Sequence, residues 1–123
     1  MEKKFNILHL EEDVKAAELF QRALKEANIP CRVVLVTSEQ SFVNALSQMR
    51  FDLIVSDESH PSFGAKPPAE VARETSPLTP VILLSGKSLK TGSEESSSAG
   101  VDIVPKANLA KLIPAVRRSL LDP

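Results

Sequence analysis

The stretch Phe51-Asp52-Leu53-Ile54-Val55-Ser56-Asp57 constrains the fold more than any other part of the chain. Four apolar or small residues stand between two acids. A run of this kind suits a parallel strand covered on both faces. Ligands of open α/β sheets sit at the C-terminal ends of such strands. Asp57, at the tip of the run, is therefore the first candidate for chemistry. Its chemistry depends on the groups that the rest of the chain brings to it.

Phe5 to Leu10 is a first apolar strand, followed at once by Glu11, Glu12 and Asp13. Asp13 can cap a helix. In that helix Ala16, Leu19, Phe20, Ala23, Leu24 and Ala27 recur at helical spacing. Asn28 and Pro30 stop it. Cys31 to Val36 is a second strand. Thr37-Ser38-Glu39-Gln40 has the pattern of a capping box. It opens a helix with Phe42, Val43, Leu46 and Met49 on its inner face. After the strand ending at Asp57, Pro61, Gly64, Pro67 and Pro68 mark a loop. The last two prolines suit a first helical turn, and a short helix is expected over about residues 68–75.

Pro80 to Ser85 is a fourth strand. Residues 86–98 are polar and Ser-rich, with Leu89 nearly alone as an apolar anchor, and read as a loop and a weak helix ended by Gly100. Val101 to Val104 is a fifth strand, leading to Pro105 and Lys106. Leu109, Leu112, Ile113, Val116 and Leu120 stripe the last helix. Pro114 would break its interior, so the helix proper is expected to begin near Ile113. A strand and a helix alternate five times with short connections. That order predicts an α/β fold of three layers, a doubly wound, five-stranded parallel sheet with helices on both faces.

Composition excludes several functions. At 123 residues the chain makes one domain, spanning 1–123. A net charge of -1 argues against nucleic-acid binding through a broad basic field, and the absence of Trp and Tyr argues against a stacking platform. One cysteine, Cys31, allows no internal disulfide and fits a reducing, cytoplasmic compartment. No apolar run approaches the ~18 residues of a membrane span. The first residues lead straight into a strand, which does not suit a signal peptide.

Five polar residues fall at strand ends: Glu11 and Glu12, Asp57, Ser85 and Lys106. A parallel sheet brings them to one edge. Three carboxylates together repel unless a divalent cation offsets them, and oxygen ligands with waters suit magnesium. Lys106 adds a second positive charge, and the Ser85 hydroxyl can donate to an oxyanion. Together they form a site for a phosphoryl group on Asp57. Taken singly, each has an ordinary reading as a cap, a turn residue or a solvated charge. Agreement at four separate strand ends gives the set its weight.

These residues resemble the receiver domain of two-component response regulators along essentially the whole chain. The matching pieces are Ile7 to Asp13, Phe51 to Asp57 with Pro61 four residues on, Pro80 to Gly86, and Ala99 to Lys106. The resemblance implies a flavodoxin-like receiver fold with Asp57 as phosphoacceptor. It places Glu11 and Glu12 on the acidic pair that helps hold Mg2+, and adds the backbone carbonyl of Ser59 as a further ligand. Ser85 falls on the switch hydroxyl and Lys106 on the family's lysine. The implied partner is a sensor histidine kinase or a phosphotransfer protein. The domain would catalyse its own phosphorylation and dephosphorylation, a signalling switch rather than an enzyme with a separate substrate. The family changes the surface of its fourth helix, fifth strand and fifth helix, which can also serve a homodimer. The segment from Lys106 to Leu120 resembles receivers joined to sensory or histidine-kinase modules, so the chain is expected to be the front of a longer protein.

Three positions depart from the family pattern. Glu12 stands where an Asp is usual, moving the carboxylate by ~1.5 Å. Ile103 takes the place of the Tyr or Phe switch ring. Pro105 precedes Lys106 where the family usually has proline after the lysine. They motivate an alternative, a degenerate receiver serving as a binding or dimerisation module without phosphorylation. His60, beside the site, reads as a loop-surface residue and His9 as a core one. A flavin-binding electron carrier would need a phosphate-cradling loop after the first strand, where this chain has three acids.

Overall fold

The computed structural model describes residues 4–57, 63–64, 66–85, 101–105 and 109–121. The elements in chain order are β1 (Phe5–Leu10), α1 (Val14–Glu26), β2 (Cys31–Val36), α2 (Glu39–Gln48), β3 (Leu53–Asp57), α3 (Pro68–Thr75), β4 (Val81–Ser85), β5 (Val101–Pro105) and α4 (Leu109–Leu121). The strands form one parallel sheet in the order β2-β1-β3-β4-β5. β1 and β3 thus lie in the middle and β2 and β5 at the edges. The helix expected within 86–98 lies outside the described residues.

Alternation along each strand divides the core in two. Ile7, Leu53, Val55, Ile82, Leu84 and Val104 face one side, under Phe20 and Leu24 of α1 and Leu112, Ala115 and Val116 of α4. Leu8, Leu10, Ile54, Val81 and Leu83 face the other, under Phe42 of α2 and Val71 and Ala72 of α3. The sheet is therefore covered on both faces, which is why Leu53, Ile54 and Val55 of β3 are all apolar. Arg117 of α4 donates from Nη2 to the Ala27 carbonyl at 2.8 Å, tying α4 to the end of α1.

Local chemistry explains the helix boundaries. The Asp13 carboxylate accepts the N–H groups of Lys15 and Ala16, as expected of a cap. At the other end Asn28 adopts φ 60°, in the left-handed region. The Ile29 N–H donates to the Leu24 carbonyl and the Asn28 N–H to the Lys25 carbonyl, the two bonds of a Schellman turn. Pro67 and Pro68 open α3 at the expected place, Pro68 being its first residue.

Four sequence expectations need correction. Leu19 is 50% exposed, and Ala17 is buried instead. At about 100° per residue, Leu19 lies roughly 130° round from the centre of the buried stripe of Ala17, Phe20 and Leu24. Val43 and Met49 of the second stripe are also exposed, leaving Phe42 as its buried residue. The capping box sits one residue later than expected, with the Ser38 hydroxyl accepting the Ser41 N–H and the Ser41 hydroxyl accepting the Ser38 N–H. Finally, α4 runs through Pro114 rather than beginning near Ile113. Proline removes one hydrogen bond, to the Ala110 carbonyl four residues back. Both residues are exposed, so solvent can satisfy that carbonyl, while Leu112, Ala115 and Val116 hold the helix by packing.

Candidate functional site

The strand register assembles the site. Leu10 of β1 lies opposite Ser56 of β3, so the next residues, Glu11 and Asp57, emerge level with each other. Glu11 extends the ladder on its other side, its N–H donating to the Val36 carbonyl at 3.0 Å. Asp57 lies opposite Leu84, one residue before Ser85. Ser85 in turn lies opposite Pro105, the chain neighbour of Lys106. Adjacent strands are about 4.8 Å apart. Backbones carrying Glu11, Asp57 and Ser85 are therefore neighbours along the C-terminal edge, and β5 ends beside them.

The side chains differ in environment. Glu11 is buried, and its Oε2 accepts the Asp13 N–H at 3.1 Å. That bond holds the turn between β1 and α1 against the sheet edge. Glu12 is exposed, and Asp57 is half-buried at the tip of β3. Ser85 is buried. Lys106 and Ser59, both named on sequence grounds, lie outside the described residues, as does His60. His9 is a core residue, its ring edge-on to Phe20 with centroids 4.7 Å apart.

Among the described residues, no group of three or more His, Cys, Asp or Glu side chains is placed to hold a metal ion. The donors that do share the edge, the Glu11 and Asp57 carboxylates, are hard oxygen ligands. Their chemistry fits Mg2+, which commonly takes one or two protein carboxylates and keeps several waters. Exposed Glu12 falls outside this pair.

The sequence reading passed over Ser56, next to Asp57, and Phe63, between β3 and α3. Ser56 is fully buried, and its hydroxyl donates to the Asp57 carbonyl at 2.8 Å. A hydroxyl in an otherwise apolar buried run was the available signal, because buried polar groups require a partner. Phe63 lies six residues beyond Asp57 and packs edge-on against Phe42, with centroids 5.7 Å apart. Lys66 then pairs with both carboxylate oxygens of Glu74 at 2.8 Å. Phe63 is thus held to α2, and Lys66 to α3, before the helix begins. Asp52 is structural: its carboxylate accepts the Asn6 N–H and its own N–H donates to the Asn6 carbonyl, both at 2.8 Å.

No family model and no curated protein matches the chain. Solved structures do. The response regulator receiver protein from Sinorhizobium medicae WSM419 is 26% identical, with a TM-score of 0.69 over 98% of this chain and 97% of that one. The phosphorylated cyanobacterial phytochrome response regulator RcpA is 25% identical, with a TM-score of 0.71 over 98% and 96%. The receiver domain of the sensor histidine kinase PA1611 from Pseudomonas aeruginosa PAO1 is 22% identical, with a TM-score of 0.74 over 96% and 98%. That domain was solved with a magnesium ion in its active-site cleft. The chain has the receiver fold of response regulators.

Within the receiver fold, Ile103 of β5 is half-buried and packs against the core layer under α2 and α3. Its surroundings are those of a packing residue. The sheet order β2-β1-β3-β4-β5 puts the strand-order reversal at β1 and β3, the strands that deliver Glu11 and Asp57. No helix among the described residues is long and apolar enough to cross a membrane.

Proposed function

We propose that this receiver accepts a phosphoryl group on Asp57 from the phosphohistidine of a sensor kinase or phosphotransfer protein. The observation that carries the reading is the level emergence of Glu11 and Asp57 from the two central strands of a receiver fold, with Ser85 on the next strand. An Asp57 carboxylate oxygen attacks phosphorus, the P–N bond of the donor breaks, and the released imidazole nitrogen takes up a proton. The product is an acyl phosphate on Asp57. Ser85 would donate to one phosphoryl oxygen and Lys106 would offset its charge. Glu11 and Asp57 would hold Mg2+ directly, with the Ser59 carbonyl, and Glu12 through bound water. When bound, the ion supplies positive charge against the transferring group. The magnesium-bearing receiver domain of PA1611 supports the same assignment by analogy. The surface around β5 and α4 is the face expected to change and to meet a partner or a second copy, and a cytoplasmic location fits the reading.

The test is incubation with Mg2+ and acetyl phosphate, followed by intact mass measurement. One added phosphoryl group that requires Mg2+ and is missing from Asp57→Asn is expected. No adduct at saturating donor would sink the proposal. Exposed Glu12 and packed Ile103 favour a second reading, a receiver used as a phosphorylation-independent binding module. Magnesium titration separates the two, because the phosphorylatable form binds the ion and weakens on Glu11→Gln.

A further inference from the structure

We infer that Ser56 is a positioning residue for phosphoryl transfer, setting the direction of the Asp57 carboxylate through the Asp57 main chain. This rests on the reading of Asp57 as phosphoacceptor. Ser56 is fully buried between two apolar neighbours, with Leu10 on β1 opposite it on one side and Leu83 on β4 on the other. No solvent reaches its hydroxyl, so the bond that hydroxyl makes is worth more than a surface one. It donates to the carbonyl of Asp57 at 2.8 Å.

That carbonyl is attached to the same Cα as the reacting side chain. Its position fixes the last backbone torsion of Asp57, where the strand ends and Asp57 becomes half-exposed. β1 pairs with β3 up to Leu10 and Ser56, and β4 pairs with it up to Leu84 and Asp57. Asp57 is the last residue of β3, on the side from which Glu11 approaches. The Ser56 hydroxyl supplies a constraint there. In-line attack on phosphorus depends on carboxylate direction, and small misplacements of a reacting group carry large rate costs.

A packing role makes the opposite prediction. In a fully buried site, Thr adds a methyl group and should be the worst substitution, while Cys and Ala should be mild. If the donated bond is what counts, Thr preserves it, Cys weakens it and Ala removes it. The experiment measures the phosphorylation rate constant against acetyl phosphate concentration, at fixed Mg2+, for the wild-type chain, Ser56→Ala, Ser56→Cys and Ser56→Thr. Circular dichroism confirms folding of each. Ser56→Ala is expected to lower the maximal rate about fivefold with little change in the half-saturating donor concentration. Ser56→Cys should fall between, and Ser56→Thr should recover at least half of the rate lost in Ser56→Ala. Folded Ser56→Ala and Ser56→Cys chains with the wild-type rate, or Thr as the slowest variant, would overturn the inference alone. A wild-type chain that takes no phosphoryl group defeats the phosphoacceptor reading, and this inference with it.

Discussion

β2 and β3 are written in nearly the same residues and end in different surroundings. Cys31-Arg32-Val33-Val34-Leu35-Val36 is as rich in branched apolar side chains as Leu53-Ile54-Val55-Ser56-Asp57. Yet β3 is buried in its first four residues, whereas Val36 alone is buried in β2. The cause is position in the sheet. β3 has β1 and β4 on either side and helices above and below, while β2 has one neighbouring strand. The difference extends to function. A carboxylate at the end of β3 meets groups arriving from two flanking strands, whereas the end of an edge strand meets those of one.

Truncation breaks or sharpens this contrast most directly. Ile54→Ala removes a side chain of 0% exposure and should lower unfolding free energy by about 2–5 kcal/mol in a denaturant titration. Leu35→Ala, at 36% exposure on the edge strand, should cost about 1 kcal/mol or less. Equal losses at the two positions would remove the distinction between centre and edge.

The next effect concerns the turn that feeds β2. Asn28 holds φ 60°, where a Cβ without a local hydrogen bond is unfavourable. Asn28→Ala should cost about 1 kcal/mol and Asn28→Gly should be neutral or slightly stabilising. Both are read by thermal melts. A stabilising alanine would show that the Schellman turn is not what ends α1.

The smallest effect lies after β3, at the Lys66–Glu74 pair. The hydrogen bond to Glu74, followed by the Glu74 charge, raises the Lys66 pKa above the ordinary lysine value. A folded-state pKa above the unfolded one stabilises fully below the unfolded value, and the contribution is lost as pH rises through the raised value. Both side chains are about half exposed, so the effect is small. The melting-temperature gap between the wild type and Glu74→Gln should be small at neutral pH and close in the alkaline range. A gap that widened with alkalinity would contradict the pairing.

How much of this was legible in the residues follows the same line between centre and edge. The β3 run, the Asp13 cap and the paired prolines opening α3 are local signals, and each stands where its chemistry demands. The α1 stripe was misplaced because three alanines flank Phe20 and Leu24 on its wheel, and alanine pattern alone does not say which side meets the sheet. The packing of Phe20 and Leu24 with residues of β1 and α4 sets which side is inward, and Ala17 is buried while Leu19 is exposed. Pro114 misled for a related reason: the rule against interior proline weighs one helix alone, whereas the buried face of α4 outweighs a single missing bond. At the site, strand order brought Glu11, Asp57 and Ser85 together as residue type suggested. Ser56 and Phe63 escaped because each acts through a contact that sequence spacing does not encode, one with a neighbouring carbonyl and one with a ring on α2.

The central claim is that Asp57, at the end of the central strand, receives the phosphoryl group. An acyl phosphate is reduced by borohydride at the carbonyl carbon, which converts the aspartate to homoserine. The chain should be phosphorylated with acetyl phosphate and Mg2+, reduced, digested and mapped by mass spectrometry. Homoserine at position 57 and at no other acidic residue is the predicted result. Homoserine at Asp13, 2-amino-5-hydroxypentanoic acid at Glu11 or Glu12, or no reduced residue at any position, would contradict it.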